Sequence, residues 1–272
     1  MGTARPEARW LCRMRFCCRA SLALAVVIAP AAAQAPPAAA EIQARLIAAF
    51  QQDQRALEGF THREHVVAMK DGARDARTLQ VWYVNGREVS ETIALDDRVL
   101  SAAELDAERK RALIREHAAE QRQPPPTGVI EFAGRTYPFS RLADDYLYSD
   151  PVTRQWRGRT VWIYQARPNP AQPSRSREET LLLHSSGEVW VDVQDLHVIR
   201  VALHSTSPVR YGLGVLGTVH AAELTLQLER QQPGVWLPAE ADFSLQATVL
   251  VLDHLRRSKQ QTFSDYRPAG SH

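Results

Sequence analysis

His62 and His65 bracket Glu64 in the stretch THREHVV, and histidine beside a carboxylate is the raw material of a metal site or of acid–base catalysis. On a strand, positions 62 and 64 share a face while 65 points the other way, so the three do not converge on one ion. The alternative reading is polar strand residues facing water. His184, His197, His204, His220 and His254 are scattered, with no HxH or HExxH spacing. Asp144-Asp145 and Glu178-Glu179 are adjacent pairs, and sequence neighbours diverge on both strands and helices. No G-x-S-x-G elbow offers a serine nucleophile. Gly212, Gly214 and Gly217 lack the following Lys and helix start of a phosphate loop. The expectation is a non-enzymatic protein without metal or cofactor.

The N-terminus has the grammar of a targeting segment. Arg13, Arg15 and Arg19 precede an apolar run, Ala20 to Ala29, and small residues ending Ala33-Gln34-Ala35. That is a basic region, a hydrophobic stretch too short to span a bilayer, and an A-x-A cleavage site. A signal peptide over 1–35 is predicted, with Met14 as an alternative start, leaving 36–272 as one domain in the periplasm with no transmembrane span. Cys12, Cys17 and Cys18 all lie before the apolar run, whereas a lipid anchor needs its Cys just after it. The mature chain then has no disulfide, no thiolate chemistry and no Cys-ligated zinc. Residues 1–35 also hold five of the 33 basic residues and one of the 31 acidic ones, so the remainder is close to neutral. With no basic stripe, nucleic acid is not expected as a partner.

Elements follow from periodicity. Ile42, Leu46, Ala49, Phe50 and Leu57 recur at helical spacing over Ala38 to Leu57. Thr61 to Met69 and Thr78 to Val84 form a hairpin around Asp71-Gly72, and Asn85-Gly86 turns the chain into Glu88 to Leu95. Ser101 with Glu104 is a capping box opening a heavily charged helix to Arg122, stopped by Pro124-Pro125-Pro126. Such a helix is usually a solvated face; a lid or partner-binding helix is the other reading. Phe139 to Tyr148 passes from a short helix into a strand, Thr160 to Ala166 is a strand, and Arg167 to Arg177 is a loop.

The centre of the chain is Leu181 to Ser205, read as strand, turn, strand, turn, strand. Leu181 to His184 is the first short strand, and Ser185-Ser186-Gly187 its turn. Val189, Val191 and Val193 then alternate with Glu188, Trp190 and Asp192. After a glycine-bearing connection, Ala222 to Arg230 alternates cleanly. Pro233-Gly234 turns into a strand from Ala241 to Leu255, ended by Arg256 to Lys259, with a last short strand from Gln261 to Tyr266. About ten strands at regular spacing, with helices confined to the N-terminal half, predict a mainly β (α+β) fold. Its form is a single curved antiparallel sheet or half-open β-barrel with helices over one side.

GEVWVDVQDLHVIRV, the glycine-bearing segment after it, VWLPAEADFSLQATVLV and FSDYR together resemble bacterial outer-membrane lipoprotein-sorting proteins of the LolA/LolB-like superfamily. The chain from Ala38 to Tyr266 is more closely similar to an uncharacterised family of exported bacterial proteins, with FTHREHV and VLSAAELDAERKRA in corresponding places. The resemblance implies a half-open barrel whose mouth is covered by helices and whose interior takes an acyl chain, lipid or other apolar ligand. The residues offered for such a cavity are Leu181, Leu183, Val191, Leu224, Leu226, Leu228, Val249, Val251 and Trp162. The same side chains could equally form a filled core. In that case the protein is an envelope structural or signalling module acting on a protein partner, through the charged helix and the 167–177 loop.

Overall fold

The computed structural model describes residues 37–132, 135–173, 177–211, 217–249 and 253–270. These lie in one compact unit, Ala35–His272. The leader predicted at 1–35 and the candidate Val251 lie outside the described residues.

The chain opens with α1 (Ala39–Glu58), followed by β1 (Phe60–Lys70), β2 (Ala73–Val84), β3 (Arg87–Leu95) and β4 (Arg98–Val99). The two hairpin turns are those expected: Asp71 and Gly72 have φ of 50° and 89°, Asn85 and Gly86 have 51° and 70°. Two consecutive left-handed residues match the twist of the flanking strands, and Asp-Gly and Asn-Gly tolerate them best. Next come α2 (Ala102–Glu120), β5 (Val129–Phe132), β6 (Arg135–Pro138), α3 (Phe139–Asp144), β7 (Tyr146–Tyr148), β8 (Val152–Trp156) and β9 (Arg159–Pro168). The remainder is α4 (Arg177–Leu182), β10 (Ser185–Asp192), β11 (His197–Ser205), β12 (Val209–Tyr211), β13 (Gly217–Gln232), β14 (Val235–Val249) and β15 (Asp253–Pro268).

Among the described residues, thirteen strands make one open antiparallel sheet in the order β4-β3-β2-β1-β15-β14-β13-β11-β10-β9-β7, with β12 beside β13 and β8 beside β9. β5 and β6 pair separately. β15 lies between β1 and β14, so the first and last strands described pair at the middle of the sheet. Antiparallel partners directly opposite one another share a face. One row therefore crosses nine strands: Tyr164, Val189, Val201, Leu226, Ala241, Gln261, Val66, Arg77 and Leu95. This is the inner face, where α1 packs.

Three expectations are corrected. Leu181 to His184 is not a strand: Leu181 and Leu182 end helix α4, and Leu181 is buried against Val209, Val219, Ala222 and Ala247. A run of three leucines is too short for periodicity to separate the two states, and this helix also breaks the N-terminal confinement of helices. Ser185-Ser186-Gly187 is not a turn but the start of β10. There Gly187 lets β11 approach: a Cβ would stand 1.8 Å from the carbonyl oxygen of Ala202. Finally, the strand from 241 does not continue to Leu255. β14 ends at Val249, and Arg256 to Lys259 lie inside β15, paired with β1 and β14. Charged side chains end a helix face or a buried strand, but a sheet's exposed side carries them without cost.

Candidate functional site

The inner face divides into two regions along its rows. Over β7 to β11 it is apolar. Ile42, Leu46 and Ala49 of α1 are buried against Tyr146, Trp162, Tyr164, Val189, Val191 and Val198. The stripe expected of α1 is the one used, and burying Ile42 and Leu46 contributes about 3–6 kcal/mol. Phe50 of α1 stacks on Phe139 of α3 with centroids 4.2 Å apart. Burial pushes the Tyr164 hydroxyl up to about 12 while it donates to the Pro37 carbonyl at 3.1 Å.

Polar ties hold the C-terminal half of α1. Asp53 and His197 are 2.8 Å apart, Gln52 donates to the Gly234 carbonyl, and Gln54 donates to the Val129 carbonyl while accepting from the Gly128 N–H. His197 stacks on Trp236 at 6.0 Å, and the Trp236 Nε1–H donates to Asp195 at 3.1 Å. Arg159 grips Asp192 with two bonds, 2.5 and 2.9 Å, and reaches Asp195, which Arg230 also meets at 3.0 Å. Burial alone would raise the Asp192 carboxyl. Arg159 and the backbone N–H groups of Asp195 and Gln194 outweigh it and hold the group below the usual carboxylate range. Asp53 goes the other way: burial raises it more than His197 lowers it. Nothing in the sequence pattern marked this network.

Over β1, β2 and β15 the same face turns polar. His62 is fully buried and Glu64 nearly so, which overturns the expectation that they face water. Neighbouring strands supply the cover: Tyr266, Phe263 and Tyr83 place their rings 5.0, 5.9 and 6.4 Å from the imidazole. His62 Nε2 stands 3.5 Å from Glu64 Oε1, Gln261 donates to Glu64 Oε2 at 3.3 Å, and His62 Nδ1 has no partner among the described residues. His65 points away, to Thr78 at 3.2 Å, as the strand parity required. Beside this cluster lies a cavity of about 700 Å³ with Val66 and Leu79 on its floor, and Glu64, Arg77, Arg115 and Lys259 around it. A second cavity of about 580 Å³ opens on the other face of the same strands, past Arg63, Trp82 and Arg267. Residues of α2 border both. The capping box of α2 is formed as expected, Ser101 accepting from the Glu104 N–H and Glu104 from the Ser101 N–H. The Glu104 carboxyl is held well below its ordinary value, chiefly by Arg98.

The apolar candidates are not gathered into one site. Trp162 and Val191 lie under α1, Leu181 lies in the cluster at β12 and β13, and Leu228 is buried with Val161, Ile199 and Trp236, with Leu226 packed beside it. Leu183 and Leu224 are half-buried, and Val249 is 37% exposed at the end of β14. Among the described residues, none of these candidates lines either cavity above. Among the described residues no three His, Cys, Asp or Glu side chains come together as a metal set, and no helix is long and apolar enough to cross a membrane.

No protein-family model matches the chain, and no curated protein is significantly similar to it. Solved structures are. A LolA superfamily protein from Nitrosomonas europaea is 11% identical over 87% of this chain and 96% of its own, with a TM-score of 0.35. A DUF1329 family protein from Desulfovibrio piger is 10% identical over 87% and 95%, at 0.36. The Pseudomonas aeruginosa MucA/MucB complex gives 11% over 86% and 99%, at 0.26.

Proposed function

We propose that the chain is an exported, non-enzymatic binding or carrier protein of the bacterial envelope whose ligand is a lipid or acyl chain with a polar head. One observation carries this reading: the inner-face row runs from Tyr164, Val189, Val201 and Leu226 to Gln261 and Arg77 without a break in register. An amphipathic ligand laid along it meets apolar side chains at one end and the charged 700 Å³ cavity at the other. In the structure α1 occupies the apolar end, so a ligand's tail enters by lifting α1 and replacing its buried side chains. Native mass spectrometry of protein taken from its own envelope without detergent should show a bound mass of acyl-chain size. A clean apo mass, with no uptake of a fluorescent fatty acid, overturns the reading. Leu226→Glu should abolish uptake with the β circular dichroism unchanged, and Lys259→Glu should keep tail uptake but change head-group preference.

A second reading has its own observation. Leu113 and Ile114 of α2 are 56% and 70% exposed on an otherwise charged helix, which suits a protein partner of an envelope structural or signalling module. Loss of a co-purifying envelope protein in Leu113→Ser/Ile114→Ser, with lipid uptake intact, would favour it.

A further inference from the structure

The face opposite α1 is not uniformly polar. At the corner formed by β8 to β11 its register places Val152 opposite Ile163, Ile163 opposite Trp190 and Trp190 opposite Arg200. On β8, Arg154 and Trp156 share the face with Val152, at two-residue spacing. Trp156 and Trp190 meet edge to face at 6.0 Å, with the Arg157 guanidinium 4.7 Å over the first ring and that of Arg200 5.7 Å over the second. The helices α1, α3 and α4 send Ile42, Phe139 and Leu181 to clusters on the inner face, and α2 packs on β2 and β3. Among the described residues this outer corner therefore carries no helix, and Val152 is 53% exposed on it.

The charges there are unequal. Arg157 is paired with Glu229 at 2.6 Å, and Glu188 is committed to the Trp190 Nε1–H and to Gln165. Arg154 and Arg200 have no carboxylate within ion-pair distance among the described residues, and Arg167 is exposed at the rim. Half-buried indoles with polar edges, an exposed valine and unpaired guanidiniums suit one environment, the zone where acyl chains give way to phosphates. A second copy of the chain fits less well, since a two-fold contact on this patch would set arginine against arginine.

We propose that this outer corner docks the protein on an anionic lipid surface, with Trp156, Trp190 and Val152 in the interface and Arg154 and Arg200 on lipid phosphates. Docking is separate from carriage: it uses the face opposite the inner row, and neither reading requires the other.

Flotation with vesicles of phosphatidylethanolamine and phosphatidylglycerol tests it, against vesicles of phosphatidylcholine alone. Expected are binding to the first that weakens with salt, a blue shift of tryptophan emission, and little binding to the second. Arg154→Gln/Arg200→Gln should bind about thirtyfold more weakly at low salt, at the usual contribution of an arginine near an anionic surface. Val152→Glu should weaken it further, while both variants keep wild-type fatty-acid uptake. Leu46→Ala, which loosens α1 on the inner face, should float as the wild type does, which separates docking from ligand extraction. Equal binding to both vesicle types, an unchanged Arg154→Gln/Arg200→Gln variant, or vesicle-independent self-association that these substitutions abolish would each overturn the proposal.

Discussion

The arm of the sheet from β7 to β14 buries Trp162, Tyr164, Val189 and Val191 beneath α1, whereas the arm from β1 to β3 buries His62 and Glu64 on the same face beside an open cavity. The two arms share rows of register, so the difference lies in side chains and not in backbone. The first arm hides apolar surface, which a helix can cover at a gain of free energy. The second hides a histidine whose Nδ1 has no partner among the described residues and whose ring is covered by Tyr83, Phe263 and Tyr266. Among the described residues, apolar burial under α1 marks one arm, and buried nitrogens without a partner, His62 Nδ1 and Arg87 Nε, mark the other.

The contrast breaks most severely at Asp192. It is fully buried and joins β9, β10 and the turn into β11 through Arg159. Asp192→Asn should cost about 3 kcal/mol in urea unfolding, the low end for breaking a buried pair because Asp195 remains beside Arg159. The folded-state pKa of Asp192 lies below its unfolded value. Its stabilising contribution is therefore present at neutral pH and is lost as the pH falls through the folded value, below the ordinary Asp range near ~4. Wild-type stability should decline there more steeply than that of Asp192→Asn, and parallel pH profiles would show that the ion pair does not set the difference.

Leu46→Ala tests the same arm from the helix side. Truncating a side chain buried between α1 and the sheet should cost about 2–3 kcal/mol. It should also speed fatty-acid uptake, because α1 lifts more easily. A loss of stability without faster uptake would make α1 a fixed part of the core.

Much of this arrangement was legible in the residues. The α1 stripe, both left-handed hairpin turns and the Ser101–Glu104 box are local chemistry, fixed by side chains a few positions apart. The antiparallel sheet followed from alternation. What was not legible depends on pairing. Gly187 looks like a turn residue until β11 lies against it, and Arg256 to Lys259 look like a strand end until β1 and β14 flank them. His62 and Glu64 look solvated because the rings that bury them come from Tyr83, 21 residues on, and from Phe263 and Tyr266 at the other end of the chain. The row that joins the arms has no sequence signal, since it is assembled from nine separate strands.

The polar arm can be sharpened by making it resemble its neighbour. His62→Phe/Glu64→Leu replaces a buried, incompletely bonded pair with apolar groups among three aromatic rings. Thermal unfolding should show a gain of about 1–2 kcal/mol, since both partners of a buried polar contact give way to apolar groups. Either single change should destabilise: Glu64→Leu leaves the His62 ring without a polar partner, and His62→Phe leaves Glu64 with Gln261 alone. A destabilised double variant would mean that His62 and Glu64 hold the arm together.

The smallest expected effect is at the start of α2. Ser101→Ala removes one side of the capping box and should cost about 1 kcal/mol. Arg98 stays on Glu104 through two bonds, 2.8 and 3.0 Å, so the helix should fray at its first turn and not dissolve. Because residues of α2 border the cavities on both faces of the β1–β3 arm and the α1 trough lies on the other arm, the two should respond differently. Hydrogen exchange should quicken at the first turn of α2 and leave α1 unchanged, with tail uptake at the wild-type rate and only head-group preference altered. Matching changes in both helices would mean that the arms open together, and that the division between them is one of chemistry alone.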